Sequence, residues 1–156
     1  MYTIRTYQNH DQSSVIHLHQ SVLLDAGLFI DDPALDKDLY TIEASYAQAQ
    51  GGAFMLATDA EGHLVAMGGL QSSAPGVAEI RRMRVAVPHQ RQGIGQQLLE
   101  ALMAQASQFA YQRVCFAAAE VQWQAQKLCL KNGFIPVRHG QRCGLKTIFY
   151  EKSLIR

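Results

Sequence analysis

The stretch "MRVAVPHQRQGIGQQLL" (83–99) sets Gly93 and Gly95 one residue apart, where an apolar run gives way to a helical pattern. Glycine weakens a helix unless the backbone must be bare there or must turn left-handed. The first N–H groups of a helix have no intrahelical partner and carry the positive end of its dipole. A glycine-bared helix start is therefore a natural site for phosphate. Arg91 and the amides of Gln90 and Gln96 supply further donors for phosphate oxygens. Two familiar nucleotide loops do not fit: no Lys–Ser/Thr follows the glycines, and GxGxxG does not follow the strand directly. A tight strand-to-helix corner relieved by glycine also fits the same residues.

Upstream, "EIRRMR" (79–84) is the densest basic segment, and Glu79 is its one carboxylate. Strand alternation puts Glu79, Arg81 and Met83 on one face. A carboxylate there could take a proton from an ammonium, directly or through water. It could also be neutralised by Arg81, Arg82 or a cation on a neighbouring strand. Glu120, just past "CFAAA", is a second candidate, in a position that a helix dipole also favours. His17 and His19 stand two apart in a helical segment and do not share a face, so no metal site is expected.

These residues need elements to hold them. "YTIRTY" (2–7) reads as a strand, and residues 11–27 as a helix with Asp11 or Ser13 as cap and Gly27 as stop. Residues 32–51 repeat those signals, with Asp32 as cap, Pro33 in the first turn and Gly51 at the end, and predict a second helix. Two strands flank a turn at 59–62, and "GVAEIRRMRVAV" is another. Ile94, Leu98, Leu99, Leu102, Met103 and Ala106 form a helical stripe. "RVCFAAA" is a short buried strand, a helix ends at Gly133, and "FIPVRH" and "KTIFYEKSLI" close the chain as strands. With no repeat, linker or low-complexity segment, residues 1–156 read as one α/β domain.

Composition bounds the function. A chain of 156 residues, 48% hydrophobic and 17% charged, belongs among globular proteins. No apolar run approaches the roughly 20 residues that span a bilayer, and the first residues lack a signal-peptide pattern. Cys115, Cys129 and Cys143 have neither metal-ligand nor redox spacing, so a reducing cytoplasm is the expected location. A net charge of +1 gives no general attraction to nucleic acid, and no membrane partner is expected. The charges are nevertheless divided: nine of thirteen acidic residues lie at or before Glu61, and twelve of fourteen basic ones at or after Arg81. One half could suit a cationic group and the other an anionic one, unless both are simply solvated faces.

The segment from Met83 to Leu99 resembles the acetyl-coenzyme A loop of the GNAT-type N-acetyltransferases, whose signature is Arg/Gln-x-x-Gly-x-Gly/Ala after a strand. "AQKLCLKNGF" (125–134) resembles that family's next helix, ending in Lys-x-Gly-Phe, and "FYEKSL" its final strand. The resemblance runs over roughly residues 62–154; the first 60 match only in the order of elements. It implies a central mixed, mostly antiparallel twisted sheet flanked by helices, with two strands splayed into an acetyl-CoA cleft. By the same resemblance, backbone groups of Met83, Arg84 and Val85 hold the pantetheine arm. The turn Arg91, Gln92, Gly93, Ile94, Gly95 and Gln96 holds the pyrophosphate. The acidic early helices then overlie the acceptor.

The implied reaction moves an acetyl group from acetyl-CoA to a primary amine of a small molecule or protein by direct attack, without a metal. Glu79 is the candidate base. The family's usual tyrosine, four residues before the glycine of Lys-x-Gly-Phe, is Cys129 here, and Gln122 stands where an asparagine is common. A catalytically silent acyl-CoA-binding or regulatory domain is the alternative, and a homodimer is a possible assembly.

Overall fold

In "AFMLAT" (53–58), neighbouring side chains bury on opposite sides of the backbone. Phe54 and Leu56 pack with Val15, Leu18, Leu39, Ile42 and Tyr46, whereas Ala57 packs with Ile94 and Leu98. Such a segment must be a strand covered on both faces. The computed structural model, which describes residues 1–155, shows how the coverage is arranged. In chain order the elements are β1 (Thr3–Thr6), α1 (Gln12–Asp25), α2 (Ile42–Ser45), β2 (Ala53–Thr58), β3 (Leu64–Ala74), β4 (Val77–Val85) and α3 (Ile94–Gln108). Then come β5 (Arg113–Ala119), α4 (Trp123–Lys131), β6 (Ile135–Arg142) and β7 (Leu145–Ser153). The seven strands form one sheet in the order β1-β2-β3-β4-β5-β7-β6. All its pairs are antiparallel except β4 with β5. The sheet is mixed and mostly antiparallel, as the sequence predicts, with α1 and α2 on one face and α3 on the other.

The second predicted helix does not form as such. Residues 33–40 make a 3-10 segment, kinked at Asp36 (φ −111°), and only Ile42–Ser45 are α-helical. Local signals were satisfied at both ends, since Asp32 accepts from the Ala34 N–H and Gly51 takes φ 79°. Between them, Asp36 and Asp38 turn inward to a cation, and a regular helix could not present both.

That cation is Arg82, and it interrupts β4. Met67 faces Arg84 and Gly69 faces Arg81 across the β3–β4 ladder, so Arg82 and Met83 share the single partner Gly68. Arg82 has φ 61°, the left-handed conformation of a bulge residue. Its Nε donates to Asp38 Oδ2 at 3.0 Å and Nη2 to Asp38 Oδ1 at 2.6 Å. Further donations reach Asp36 Oδ1 at 3.3 Å and the Leu35 carbonyl at 2.7 Å. Asp38 also accepts from the Tyr46 hydroxyl. A left-handed conformation at a residue with a Cβ costs about 1–2 kcal/mol, and these bonds to a largely buried guanidinium offset it.

The extra residue reverses the side-chain alternation beyond it. Ile80 and Met83, three apart, both pack against the α3 side with Leu102. Glu79 and Arg81 face the opposite side, where Gln71 accepts from Arg81 at 3.0 Å and donates to the Ser45 carbonyl at 2.8 Å. The expectation that Glu79, Arg81 and Met83 share a face is thus corrected for Met83; strict alternation cannot survive an inserted residue.

Replacing Asp38 by Asn should therefore destabilise the protein by about 3 kcal/mol, the scale for breaking one side of a buried ion pair. For a chain this long that is a fall in Tm of roughly 6–12 °C by thermal denaturation. Its hydrogen bonds from Arg82 and Tyr46 hold the Asp38 carboxyl below its ordinary 3.8, against the opposing effect of burial. The unfolded chain then takes up protons first. The contribution is present above pH 3.8 and lost as pH falls through the lower folded value, and Asp38→Asn should flatten that acid limb.

Candidate active site

β4 and β5 run parallel and paired from Val77 opposite Arg113 to Ile80 opposite Phe116. Beyond that register they part. Arg81 to Val85 lose their partner on this side, and so do Ala117 to Ala119. A bulge sharpens local twist, and Arg82 stands just past the last pair. The parted strands open a cleft of about 230 Å³. It is lined by β4 from Ile80 to Arg84, by Ala117 and Ala119, by Leu23 of α1, and by Leu28, Ile30 and Leu35 from the connection after it. The end of β6 adds Arg142, and the turn after it adds Cys143. The unpaired edge offers the Met83, Arg84 and Val85 backbones in the extended form that an amide-bearing chain can join as a strand.

The helix-start loop follows. Gly93 caps α3 at φ 82°, and Arg91 just before it is also left-handed at φ 62°. No side chain caps α3. A Cβ at Gly93 would meet nothing within 4 Å, so that glycine is set by its backbone conformation. Gly95 is different: a Cβ there would make only ordinary contacts, with Val85 at 3.8 Å and Leu128 at 4.0 Å. Protein packing does not demand glycine at 95, and its bare backbone leaves the helix-start N–H groups open to approach. Arg91 lies 5.4 Å from the centroid of exposed Trp123, with Lys127 5.2 Å from the same ring. Two cations thus stand beside the loop, and these residues fit a phosphate-rich ligand.

The glutamines around the loop do a different job from the one their composition suggests. Gln96 exchanges amide bonds with Asn132 at 2.7 and 2.8 Å and donates again to Glu100 at 3.0 Å. Both of its amide hydrogens are used, so only its backbone N–H remains for an anion. Gln90 donates to the Val85 carbonyl at 3.0 Å, tying the loop to the end of β4. Gln92 accepts from Tyr2 at 2.7 Å and donates to the Pro88 carbonyl at 3.3 Å. The side chains brace the loop and leave its backbone N–H groups as the donors available to an anion.

Glu79 stands one residue before the cleft's β4 lining begins at Ile80, in the last paired stretch of β4, and does not itself line the cleft. Its Oε1 accepts from Arg142 at 3.2 Å and lies 3.5 Å from Arg81 Nε. Its side chain is 18% exposed. The second cation on Glu79 is Arg142 at the end of β6, which is not a neighbour of β4 in the sheet; it reaches Glu79 across the cleft. Glu120 and Glu79 do not converge: Glu120 lies beyond β5 and is exposed. Cys129, at the tyrosine position, has no exposed surface and packs with Leu99, Phe134 and Tyr150, and burial pushes its thiol up to about 12.

Two residues of the site escape sequence reasoning. His19, read as an ordinary helix residue, lines the cleft with 1% exposure, its Nε2 3.0 Å from Asp36 Oδ1. Burial, then the Arg84 charge, pulls it below its ordinary 6.5. Arg84, chosen for its backbone, lines the cleft and has a buried side chain. Burial and then Arg82 lower it to about 10. The available signal was the helical spacing of Val15, Leu18 and His19 on one buried stripe.

A model of the acetyltransferase (GNAT) family matches residues 17–134, most of the chain and all of the cleft-forming β4, α3 and β5. The chain belongs to the GNAT family. Solved structures share the fold throughout. An acetyltransferase of the GNAT family from Staphylococcus aureus Mu50 has a TM-score of 0.90 at 20% identity, over 99% of this chain and 100% of that one. An acetyltransferase from Streptococcus agalactiae 2603 gives 0.87 at 17% identity, with 98% of each chain covered. The ribosomal-protein-S18-alanine N-acetyltransferase from Escherichia coli gives 0.76 at 18% identity, over 99% of this chain and 94% of that one. At such identities the likeness is one of fold. No curated protein matches the sequence.

GNAT proteins use acyl-CoA as cosubstrate, and the bared start of α3 suits its pyrophosphate. Among the described residues, no helix is long and apolar enough to cross a membrane, and no group of three or more His, Cys, Asp or Glu side chains is placed to hold a metal ion.

Gly93→Asp should abolish CoA binding, because it puts a carboxylate at the anion site and a side chain on a left-handed residue. Saturating CoA, at about 100 times its Kd, should stabilise the wild type by about 2.7 kcal/mol. Loss of that thermal shift in a folded Gly93→Asp protein is the expected result; an unchanged shift would remove the loop from the site. Cys129→Ala should lose less than about tenfold in turnover while costing some stability, since the thiol is core and not cleft.

Proposed function

We propose that this GNAT protein transfers an acetyl group from acetyl-CoA to a primary amine, by direct attack within the cleft between β4 and β5. The observation that carries this reading is the parting of those strands beyond Ile80 and Phe116, beside a helix start bared by Gly93 and Gly95. Bound acetyl-CoA supplies an activated thioester; the chain supplies position and proton transfer. Backbone groups of Met83, Arg84 and Val85 hold the pantetheine arm along the free edge of β4. The Arg91–Gln96 turn takes the pyrophosphate on its N–H groups.

Glu79 is the proposed base. An ammonium must lose a proton before it can attack, and a carboxylate on the acceptor face of β4 can receive it. Glu79 precedes Ile80, the first lining residue of β4, so the proton reaches it through water. Arg142 and Arg81 hold its Oε1 in place. Protonation of the leaving thiolate falls to water, because Cys129 lies in the core without access to the cleft.

A second reading, acyl-CoA binding without turnover, is favoured by the same buried Cys129 at the position of the family's tyrosine. Release of CoA thiol across a mixed-amine screen separates the two readings, since a silent domain would bind and release nothing. Acetyl-CoA and CoA should raise Tm, and ATP and NAD should not. Glu79→Gln should lower turnover by about a hundredfold, or 2.7 kcal/mol, and keep the CoA-induced shift. Turnover within about threefold of wild type would make Glu79 a structural ion-pair residue.

A further inference from the structure

The charges around the cleft do not cancel. Four arginines line it: Arg81, Arg82, Arg84 and Arg142. Arg82 is held by Asp36 and Asp38, while Arg81 and Arg142 share Glu79. Arg84 has no ion pair among the described residues. Its one hydrogen bond runs from Nη1 to the Met83 carbonyl at 2.9 Å, and its Nε is buried with no partner. A buried N–H without an acceptor is costly, more so on a charged group. His19 contributes the complementary atom. Its Nε2 faces the Asp36 carboxylate and so carries the proton, which leaves a lone pair on Nδ1, also buried and unpartnered. One unsatisfied cationic donor and one unsatisfied acceptor therefore belong to two residues that line the same cleft. Its third component is apolar: Leu23, Leu28, Ile30 and Leu35 line the side formed by the last turn of α1 and the connection after it.

We propose that the acceptor is an amino carboxylate with an apolar side chain, its carboxylate bound by Arg84 and its side chain seated against Leu23, Leu28, Ile30 and Leu35. This rests on the reading of the cleft as an acyltransfer site. A guanidinium binds a carboxylate through charge-assisted hydrogen bonds, and desolvation in the cleft strengthens them. The His19 Nδ1 lone pair accepts an N–H from the acceptor. The CoA phosphates do not account for Arg84: they belong at the start of α3, on the opposite face of the sheet from α1 and His19. The sequence suggests that acidic early helices receive a cationic amine. Asp36 and Asp38 also hold Arg82, and the amine of an amino carboxylate remains a cation that this acidic segment can face.

Matched acceptors test the assignment. Leucine, methionine and phenylalanine are compared with their carboxamides and with isoamylamine, in the presence of acetyl-CoA, by release of CoA thiol. The carboxamide imitates a peptide N-terminus, which carries the same amine beside a neutral carbonyl. The free acids should exceed their amides by about tenfold or more in kcat/KM. Arg84→Gln should bring that ratio toward one, and Arg84→Lys, which keeps charge without the planar fork, should fall between. Amides or isoamylamine turned over as well as the acids would overturn the proposal and leave acyl transfer intact. So would a preference for acids that survives Arg84→Gln, or thiol release from none of the panel by wild-type protein that CoA still stabilises. Absence of that CoA-induced thermal shift would instead overturn the acyl-CoA reading on which the proposal rests.

Discussion

Arg82 joins two parts of the chain that are 44 residues apart in sequence and fixes the shape of both. On its own strand it is the extra residue of a bulge, in a conformation that costs energy for any side chain beyond glycine. Across the cleft it gathers Asp36, Asp38 and the Leu35 carbonyl, and Asp38 gathers Tyr46. Each partner meets a need of the other. The aspartates would be poor residues to bury without a cation, and the bulge would relax toward a regular ladder without a clamp.

The bulge also needs room on the facing strand. A Cβ on Gly68 would collide with the Met83 side chain and come within 3.0 Å of Leu102. A Cβ on Gly69 would stand 2.6 Å from the Tyr46 ring. The adjacent glycines of β3 thus admit Met83 from one face and Tyr46 from the other. With the alternation reset, Ile80 and Met83 complete the apolar contact with α3, and Arg84 turns toward α1. The open edge of β4, the direction of Arg84 and the folding of the connection after α1 all follow from one inserted residue.

Electrostatically, the division of charge along the chain serves the fold before it serves a ligand. The acidic segment around 31–43 meets the basic segment around 79–84 within the protein, and the visible asymmetry is largely consumed there. What remains at the cleft is the small excess that pairing did not use. It is borne by Arg84, with a neutral His19 beside it.

The sequence by itself determined the strand–loop–helix at 83–99, the family and the strand content, because these rest on local rules. Helix periodicity places Ile94, Leu98 and Leu102 on one buried stripe, and a left-handed residue before a helix selects Gly93. Gln96 shows the limit of such rules: its type suited phosphate, but its amide is spent on Asn132, 36 residues away. Residues 33–51 carried sound helix signals, yet the pull of Arg82 on Asp36 and Asp38 outweighed propensities worth only tenths of a kcal/mol per residue. The parity of Met83 and the turning of Arg84 toward the cleft were likewise decided only by tertiary structure. A one-residue bulge leaves no trace in local periodicity, whereas its ion pairs exist only once distant segments have met.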